Sequence, residues 1–381
     1  MKFLFLIQGE GRGHLSQAIT LEKILLDAGH SVCCTLVGKS ERRIIPEYFK
    51  RNMHSPIQEI ASPNFVTDKQ NKSVQILRTI VYNARYTPRF LKSLGQIHKT
   101  VAQHQPDCII NFYDFLGGLY SFLYRPKAQY VCVGHQYLAY HPNFPFAPNK
   151  PLDKLLFTFN NSLTSWRADL RIALSFSPYA PARIGKLVVT PPLLRQEVFE
   201  AKPQTEDFLL AYMVNSGYGE EVMEWSEQHP ETRIHCFWDE KSKPEVWEYS
   251  PSLTFHQVND VKFLDYMSRC KGYVSTAGFE SICEALYLQK PVLMIPVKGQ
   301  YEQACNALDA QKAEAGIAAD SYQIDLLLDY INQNQGKESP YRAWYQETPW
   351  VITQVLEALS LQQPSKIHEH EKSPAASVMA P

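Results

Sequence analysis

Two carboxylates and an amide follow neighbouring apolar runs within residues 272–307, at positions suited to binding a ligand. Gly278 begins a predicted helix directly after the first run, so the free N–H groups of its first turn can bind an anion. Those N–H groups belong to Phe279, Glu280 and Ser281. Glu284 lies one turn further along and suits hydroxyl groups, while Glu302 and Gln303 follow the next strand at the same sheet edge. N–H groups that can donate to phosphate, followed by two polar positions that can accept hydrogen bonds from diol hydroxyls, indicate a nucleotide-sugar site.

A glycine loop follows the first apolar strand, with Gly9, Gly11 and Gly13 preceding His14 at the start of a helix. The glycines allow the backbone to approach a ligand closely. The loop does not match the dinucleotide-binding fingerprint. His14 occupies the position of its third glycine, and the second predicted strand does not end in the Asp or Glu that would bind a ribose. The ordinary pKa of histidine, near 6.5, makes His14 the first candidate for a general base. The alternative is a histidine that stabilises the loop or binds an acceptor phosphate.

Asp114 is the second candidate base, since it follows the strand over residues 107–112 and precedes a predicted loop with Gly117 and Gly118. A solvated loop acid is the competing interpretation. Two further histidines, His135 and His141, are predicted to be ordinary loop residues.

The spacing within residues 272–307 resembles the donor-binding signature of GT-B glycosyltransferases of families 1 and 28, including the lipid-intermediate GlcNAc transferases of peptidoglycan synthesis. The matching positions are Gly278, Glu284, Pro291, Pro296, Glu302-Gln303 and Asn306-Ala307. The first glycine loop is similar to the Gly-x-Gly-x-Gly-His loop of the same enzymes. The chain departs from plant-type members at the front of this stretch, where they have His-Cys-Gly-Trp-Asn and this chain has Ser275-Thr276-Ala277-Gly278-Phe279.

The resemblance implies an inverting, metal-independent transfer from a UDP-sugar, with UDP-GlcNAc favoured, to a glycan, lipid or small-molecule acceptor, in cell-envelope glycan synthesis for example. It assigns the ribose to Glu284, the sugar hydroxyls to Glu302 and Gln303, and backbone contacts with uracil to Val258 and Asn259. The loop that begins at Asn215 and Ser216 is a second candidate for phosphate. We expect no cofactor and no metal, because the chain has no Asp-x-Asp motif.

Two alternatives to a transferase remain open at this point. One is a non-hydrolysing UDP-sugar epimerase, which needs additional acid and base carboxylates. The other is a non-catalytic protein that binds a nucleotide sugar with its second half and has lost the base of its first half.

Bulk composition is that of a globular protein, and 381 residues fit about two domains. A net charge of −1 gives no reason to expect nucleic-acid binding. The eight cysteines show no C-x-x-C spacing, so we expect buried free thiols in a reducing compartment. With no signal peptide or membrane-length apolar run, we expect a cytoplasmic protein. Peripheral membrane contact is an alternative, through a stripe of Arg and Tyr side chains over residues 78–92.

The order of strands and helices predicts an α/β protein of GT-B fold, with two Rossmann-like, doubly wound domains facing each other across a cleft. Residues 1–190 form the acceptor-side domain, 191–206 the linker and 207–340 the nucleotide-sugar domain. A helix within 341–362 is expected to return to the first domain, as in the family. The last residues, 363–381, are expected to be disordered.

Overall fold

The structure, a computed structural model, describes residues 1–40, 44–63, 86–213 and 216–360. Asn215, the part of the Arg/Tyr stripe before residue 86 and the tail over 363–381 lie outside the described residues. For Ser216 the backbone alone is described. None of the helices in the described ranges combines the length and hydrophobicity needed to cross a membrane.

The N-terminal half, residues 1–190, is built on an eight-stranded sheet with the order β3-β2-β1-β4-β5-β6-β8-β7. Every pairing is parallel except β7 with β8. The strands are β1 Lys2–Gln8, β2 Ser31–Lys39, β3 Ile57–Ala61, β4 Cys108–Phe112, β5 Gln129–Val133, β6 Leu170–Leu174, β7 Arg183–Ile184 and β8 Leu187–Thr190. The central strand β1 is a continuous apolar run because helices cover both faces of the sheet.

Helices of this half connect the parallel strands. They are α1 Arg12–Asp27, α2 Glu47–Asn52, α3 Thr87–His104, α4 Phe115–Tyr124 and α5 Pro151–Thr164, with a 3₁₀ helix over His135–Tyr140. The loop predicted around Gly117 and Gly118 is instead the first turns of α4. A Cβ on Gly118 would lie 1.8 Å from the carbonyl oxygen of Leu163. This glycine therefore serves the close packing of α4 against α5.

The C-terminal half carries a seven-stranded sheet with the order β11-β12-β10-β9-β13-β14-β15, and only β11 is antiparallel to its neighbour. Its strands are β9 Leu209–Met213, β10 Ile234–Trp238, β11 Val246–Ser250, β12 Leu253–Gln257, β13 Gly272–Ser275, β14 Val292–Met294 and β15 Gly316–Ala318. Its helices are α7 Gly219–Gln228, α8 Asp260–Arg269, α9 Phe279–Tyr287, α10 Tyr301–Lys312 and α11 Ile324–Gln333, with a 3₁₀ turn at Ser216–Tyr218. The segment between the halves contains the short helix α6, Gln196–Glu200.

Each sheet reverses its strand order beside its central strand, between β1 and β4 in the first sheet and between β9 and β13 in the second. The loops that leave neighbouring strands there run to opposite faces of the sheet and open a crevice at the carboxyl edge. The glycine loop of residues 9–13 and the turn at Gly278 both lie at such a point. The topology therefore brings the two predicted ligand loops to corresponding places in the two halves.

The last two helices of the described residues, α12 Arg342–Gln346 and α13 Thr348–Ser360, pack against the N-terminal half. The Tyr345 hydroxyl donates to the carbonyl of Phe176 at 2.9 Å, and the Gln129 side-chain amide donates to the carbonyl of Leu359 at 2.9 Å. We propose that the two domains are divided as the sequence predicts, with residues 191–206 as the linker and this helix pair returning to the first domain.

The eight cysteines all lie in described residues and are free thiols, and all except Cys33 are buried. The prediction of buried free thiols is confirmed.

Candidate active site

A cavity of about 1080 Å³ lies between the two halves, at the carboxyl edges of both sheets. Its lining includes the glycine loop and His14 from the first half, and Gly278, Glu284 and Gln303 from the second. A crevice shared by two α/β sheets at their switch points is the usual position of a ligand site in such folds.

The turn before α9 presents an open helix N-terminus to this cavity. Ala277 has a positive φ of 57°, and Gly278 is the N-cap without a capping side chain. A Cβ added to Gly278 would meet only the Ser281 hydroxyl, at 3.9 Å, so the glycine leaves space beside the first-turn N–H groups. The Asn306 side chain donates to the carbonyl of Ala277 at 3.1 Å and holds the turn in place. Helix N-termini of this kind bind anions.

Glu284 lies one turn into α9, buried at the cavity wall and paired with Arg195. Arg195 donates from Nε to Oε1 at 2.7 Å and from Nη2 to Oε2 at 3.3 Å. The Arg195 guanidinium also donates from Nη1 to the carbonyl of Asp260 at 3.2 Å. This two-point contact fixes the plane of the Glu284 carboxylate and leaves acceptor capacity on both of its oxygens.

A chain of five side chains crosses the cleft on either side of His14, running from Glu280 through Gln17, His14 and Gln136 to Glu302. Gln17 donates to Glu280 at 3.0 Å, and Gln136 donates to Glu302 at 2.9 Å. His14 lies between the two glutamines, with Nδ1 at 3.3 Å from Gln17 Oε1 and Nε2 at 3.4 Å from Gln136 Nε2. The two carboxyl groups of the second half are thus bound by two amides of the first.

The two amide contacts of His14 are both satisfied by one tautomer of its ring. Gln17 presents its oxygen to Nδ1, so Nδ1 carries the hydrogen. Gln136 presents its N–H to Nε2, so Nε2 is the unprotonated acceptor. The His14 ring also stacks on Tyr113, with ring centroids 5.8 Å apart. Because Nε2 is unprotonated, His14 is in the form that a general base requires.

Burial shifts the pKa values of the ionisable groups in this chain toward their neutral forms. It lowers the pKa of His14 to about 4, against a weaker opposing effect of the Gln17 hydrogen bond. Burial, together with the charge of Glu284, raises the pKa of Glu280 to about 8. Burial also raises the pKa of Glu302 to about 7, although the hydrogen bond from Gln136 opposes it. Near neutral pH, Glu280 therefore carries a proton most of the time and His14 carries no charge.

The remaining predicted donor residues of α9 and α10 also line the cavity. Gln303 accepts a hydrogen bond from the backbone N–H of Val297 at 2.8 Å, and Ser281 contacts the carbonyl of Gly278 at 3.4 Å. The ring of Phe279 stacks on His135 of the first half at 4.1 Å. His135, predicted to be an ordinary loop residue, is instead buried at the start of the 3₁₀ helix, lines the cavity and contacts the carbonyl of Leu174 at 2.8 Å.

The glycines of the first loop have different surroundings. A Cβ on Gly9 would come within 2.6 Å of the Val37 side chain, so this position requires glycine for close packing of the loop on β2. A Cβ added to Gly11 would meet nothing within 4 Å, and one added to Gly13 would lie 3.7 Å from the Cβ of Glu280 across the cleft. Gly11 and Gly13 are thus the positions at which backbone is exposed to the cavity.

The model of the family described as glycosyl transferase family 1 matches residues 1–333 of the chain. The chain belongs to glycosyl transferase family 1. An uncharacterized glycosyltransferase of Methanosarcina acetivorans is 23% identical over 335 residues, which cover 81% of this chain and 82% of that protein. The prediction of a glycosyltransferase is confirmed.

Solved glycosyltransferase structures have the same architecture. The glycotransferase of kitacinnamycin superposes with a TM-score of 0.63 at 13% identity, covering 95% of this chain and 99% of that one. MurG of Acinetobacter baumannii gives a TM-score of 0.57 at 16% identity, with 94% and 99% covered. LpCGTa in complex with UDP gives 0.58 at 15%, with 92% and 93% covered. The GT-B fold predicted from the sequence is confirmed.

Asp114 of this glycosyltransferase is not at the cavity, contrary to its prediction as a second base. It is fully buried and caps α4, accepting a hydrogen bond from the Leu116 N–H at 2.8 Å. Burial raises the pKa of Asp114 to about 6, while the Ser62 hydroxyl and the N–H groups of α4 oppose the rise. Its Oδ2 packs against Gly38 of β2, where a Cβ would come within 2.1 Å. An acid after a strand serves here as a helix cap because the strand leads directly into α4.

The two residues predicted to contact uracil, Val258 and Asn259, have different environments in the transferase. Val258 lines the cavity, and its N–H donates to the carbonyl of Trp238 at 3.2 Å. Asn259 caps α8, with its side chain accepting from the N–H groups of Val261 and Lys262 at 3.1 and 2.9 Å. The Asn259 side chain is therefore committed to its own helix.

Four residues at the glycosyltransferase site were not predicted from the sequence: Tyr113, Gln17, Gln136 and Arg195. Arg195 lies in the proline-containing segment that the sequence predicts to be a linker. Gln17 and Gln136 belong to no sequence motif that predicts a function. The one available signal was proximity in sequence to predicted site residues, since Gln17 lies one helical turn after His14 and Tyr113 precedes Asp114.

Proposed function

We propose that this enzyme is an inverting, metal-independent glycosyltransferase that takes its sugar from a UDP-sugar, with UDP-GlcNAc as the first candidate. One observation carries the proposal: the open N-terminus of α9, with the Arg195-bound carboxylate of Glu284 one turn below it, faces His14 across a single cavity. Anion donors, a diol acceptor and a base are the parts that the reaction needs.

In this mechanism the diphosphate binds the first-turn N–H groups of Phe279, Glu280 and Ser281, beside Gly278. These groups and the helix dipole stabilise negative charge as it develops on the leaving UDP, which is the role that a metal ion serves in other glycosyltransferases. Among the residues in the described ranges, no group of three His, Cys, Asp or Glu side chains is arranged to hold a metal ion.

Glu280 occupies the same turn, and its protonation bears on phosphate binding. A charged carboxylate there would repel a diphosphate, whereas the protonated form that burial favours can donate a hydrogen bond. Its Oε1 is buried without a hydrogen-bond partner among the described residues, whereas its Oε2 accepts from Gln17.

The ribose hydroxyls donate to Glu284, whose plane Arg195 fixes. The transferred sugar is held by Glu302 and Gln303 at the start of α10. Glu302 accepts a hydrogen bond from Gln136, so the sugar replaces one hydrogen bond with another when it binds. Val258 lies where a backbone contact with uracil is possible. A UDP complex is known for LpCGTa, a protein of the same fold, which supports the choice of UDP.

His14 acts as the general base. The acceptor hydroxyl replaces Gln136 at Nε2 and loses its proton to that nitrogen while its oxygen forms the new bond to the anomeric carbon of the sugar. The bond between that carbon and the diphosphate breaks in the same displacement, and UDP leaves with the electron pair. Attack from the side opposite to the leaving group inverts the anomeric configuration.

The acceptor is proposed to be a glycan, a lipid or a small molecule, reached from the first-domain side of the cleft. We further propose that the enzyme acts in the cytoplasm and touches the inner face of a membrane peripherally.

The test is turnover of UDP-GlcNAc by the purified enzyme with a crude lipid or glycan extract, followed by analysis of the nucleotide products. Release of UDP with transfer of the sugar, and with inversion at the anomeric carbon, supports the proposal. Conversion to an isomeric UDP-sugar would identify an epimerase. Binding of the donor without any product would leave a nucleotide-sugar-binding protein.

A further inference from the structure

Helix α10 carries the two residues assigned to the transferred sugar in its first turn, and one of its faces contacts the first half of the chain. Tyr301, Cys305 and Asp309 are spaced four residues apart, so their side chains follow one another along that face. The Tyr301 hydroxyl donates to the carbonyl of Ala147 at 3.0 Å, and Cys305 Sγ accepts from the N–H of the same residue at 3.4 Å. Asp309 makes the third contact, about two turns after the first.

The Asp309 side chain brings a carboxylate into this contact between the halves. It is fully buried and accepts a hydrogen bond on Oδ1 from the hydroxyl of Tyr179, a residue of the first half. His135 of the first half also faces it, with Nε2 at 3.9 Å from Oδ2. Neither of these last two atoms has a hydrogen-bond partner among the residues that the structure describes.

The protonation states make Tyr179 the donor that satisfies Asp309. His135 Nδ1 lies 2.8 Å from the carbonyl oxygen of Leu174, so Nδ1 carries the ring hydrogen and Nε2 carries none. Burial lowers the pKa of His135 to about 4 and raises the pKa of Asp309 to about 6, so near neutral pH the ring is neutral and the carboxylate is charged. A hydroxyl that donates to a charged carboxylate forms one of the stronger hydrogen bonds in a protein.

Tyr179 packs against both halves of the chain, which fixes the direction of its hydroxyl. Its ring meets the His141 ring edge-on, with centroids 4.9 Å apart. Lys312, at the end of α10, places its Nζ 4.6 Å from the centroid of the same ring and donates to the carbonyl of Asn143 at 3.4 Å. Burial and the charge of Asp309 raise the pKa of Tyr179, so the hydroxyl keeps the proton that it donates.

We propose that Tyr179 and Asp309 are positioning residues for the transferred sugar. Their hydrogen bond fixes α10 against the first half and so sets where Glu302 and Gln303 lie relative to the base. Asp309 follows Glu302 by seven residues, two turns of one helix, so a displacement at Asp309 also moves Glu302. A buried carboxylate is stable only where a donor reaches it, which selects a single register of the helix. This role rests on the proposed function, because it requires the sugar at the start of α10.

The UDP part of the donor depends less on this contact. Its proposed sites are the first turn of α9 and Glu284, and Arg195 of the connecting segment holds Glu284. UDP affinity therefore reports on the donor site of α9, whereas turnover also reports on the placement of the sugar by α10. A loss of turnover without a matching loss of UDP affinity is the result that distinguishes positioning from general destabilisation.

The experiment compares the wild type with Tyr179→Phe, which keeps the ring and removes only the hydroxyl. Turnover of UDP-GlcNAc with the lipid or glycan extract should fall by about ten- to a hundredfold at saturating donor, the effect of a small misplacement of reacting groups. UDP affinity in calorimetry should stay nearly unchanged. Tyr130→Phe is the matched control, since the buried Tyr130 hydroxyl donates to the Thr164 carbonyl at 2.8 Å within the first half. It should keep wild-type turnover.

Two substitutions of Asp309 isolate the hydrogen bond from the charge. Asp309→Asn keeps an oxygen for the Tyr179 hydroxyl and turns an N–H donor toward the unprotonated Nε2 of His135. It should therefore retain most of the turnover, whereas Asp309→Ala should lose as much as Tyr179→Phe. Equal losses in Asp309→Asn and Asp309→Ala would overturn the assignment of the effect to the hydrogen bond.

Hydrogen exchange without any added nucleotide tests the contact independently of the reaction. The backbone amides of α10 should exchange roughly tenfold faster in Tyr179→Phe than in the wild type, the effect of losing one hydrogen bond to a charged acceptor. Unchanged exchange of α10 would overturn the proposal. Faster exchange together with wild-type turnover would also overturn it, since the contact would then be structural only. Equal losses of turnover in Tyr179→Phe and Tyr130→Phe would have the same meaning.

Failure of this inference and failure of the proposed function give different results. If the wild type binds neither UDP nor UDP-GlcNAc, the proposed function is wrong and the positioning role is overturned with it. If the wild type binds UDP and transfers the sugar, and Tyr179→Phe does so equally well, the proposed function stands and only the positioning role is overturned.

Discussion

Arg195 and Glu284 form a two-point ion pair across 89 positions of sequence, with Nε and Oε1 2.7 Å apart and the Glu284 carboxylate buried. Arg195 belongs to the segment that joins the two halves, and Glu284 belongs to the helix whose N-terminus faces the cavity. The pair therefore anchors the connecting segment to the donor site and orients the carboxylate that the ribose is proposed to contact.

Removing the cation should cost substantial stability. Arg195→Gln leaves the buried carboxylate of Glu284 unpaired, so we expect the free energy of unfolding in urea to fall by about 3–5 kcal/mol. Lys271→Gln is the matched control, because Lys271 contacts Asp207 at the same 2.7 Å but that carboxylate is 76% exposed. The control should change by about 1 kcal/mol or less. Equal small effects in the two variants would show that the Arg195 pair contributes little.

The two cleft carboxyl groups predict a loss of stability as pH rises from about 4.5 to about 8. The pKa values of Glu280 and Glu302, about 8 and about 7, lie above the ordinary 4.5, so the folded protein holds protons that the unfolded chain has released. Their stabilisation is complete below pH 4.5 and is lost as pH rises through these values. The lowered pKa of His14 acts in the opposite direction but only below 6.5, its ordinary value.

Thermal unfolding from pH 6.5 to about 8 therefore isolates the carboxyl groups. The wild-type midpoint should fall across this range, and Glu280→Gln should flatten the slope because an amide does not titrate. Glu248→Gln, on exposed β11, should retain the wild-type slope. A Glu280→Gln profile as steep as the wild type would mean that Glu280 ionises normally in the folded state.

Chelation should leave activity intact. The helix N-terminus at Gly278 supplies the charge stabilisation of the leaving group, so UDP release in EDTA should equal that in untreated enzyme. If activity disappears in EDTA and returns with manganese, the leaving group is stabilised by a metal and the role assigned to α9 is wrong.

His14 should affect turnover more than donor binding, because the base and the donor site belong to different halves. His14→Ala should lower turnover with saturating donor by about 10²–10⁴-fold while UDP affinity stays nearly unchanged. His14→Asn tests the alternative, since asparagine can keep one hydrogen bond of the loop but cannot accept the proton. Near-normal turnover in His14→Asn would end the assignment of His14 as the base.

The sequence was sufficient for those features that depend on local pattern. The GT-B fold follows from alternating strands and helices, and the cavity does contain the residues of the α9 turn, Glu284 and Gln303 at the predicted sheet edge. Fixed spacing works there because a strand, a turn and a helix place their residues with little freedom.

Features made by distant segments could not be predicted in the same way. Arg195 reaches Glu284, and Gln136 reaches Glu302, only after the two halves have come together. Gln136 reaches His14 only after β1 and β5 have assembled in the first sheet. For Asp114 the sequence predicted a site residue where the structure has a buried helix cap. An acid in a solvated loop and an acid that caps a helix can have the same local sequence, and they differ in which distant residues cover them. Here Gly38 and Ser62 cover Asp114 and exclude it from the cavity.

The most direct test of the donor site is calorimetric titration of UDP into the wild type and Glu284→Gln, with Glu248→Gln as the control. Loss of the charge-assisted hydrogen bonds to ribose should weaken UDP binding by about 1.5–3 kcal/mol, which is roughly 10- to 150-fold. The control should bind as the wild type does. Unchanged UDP affinity in a folded Glu284→Gln protein would contradict the assignment of Glu284 to the ribose and with it the centre of the proposed site.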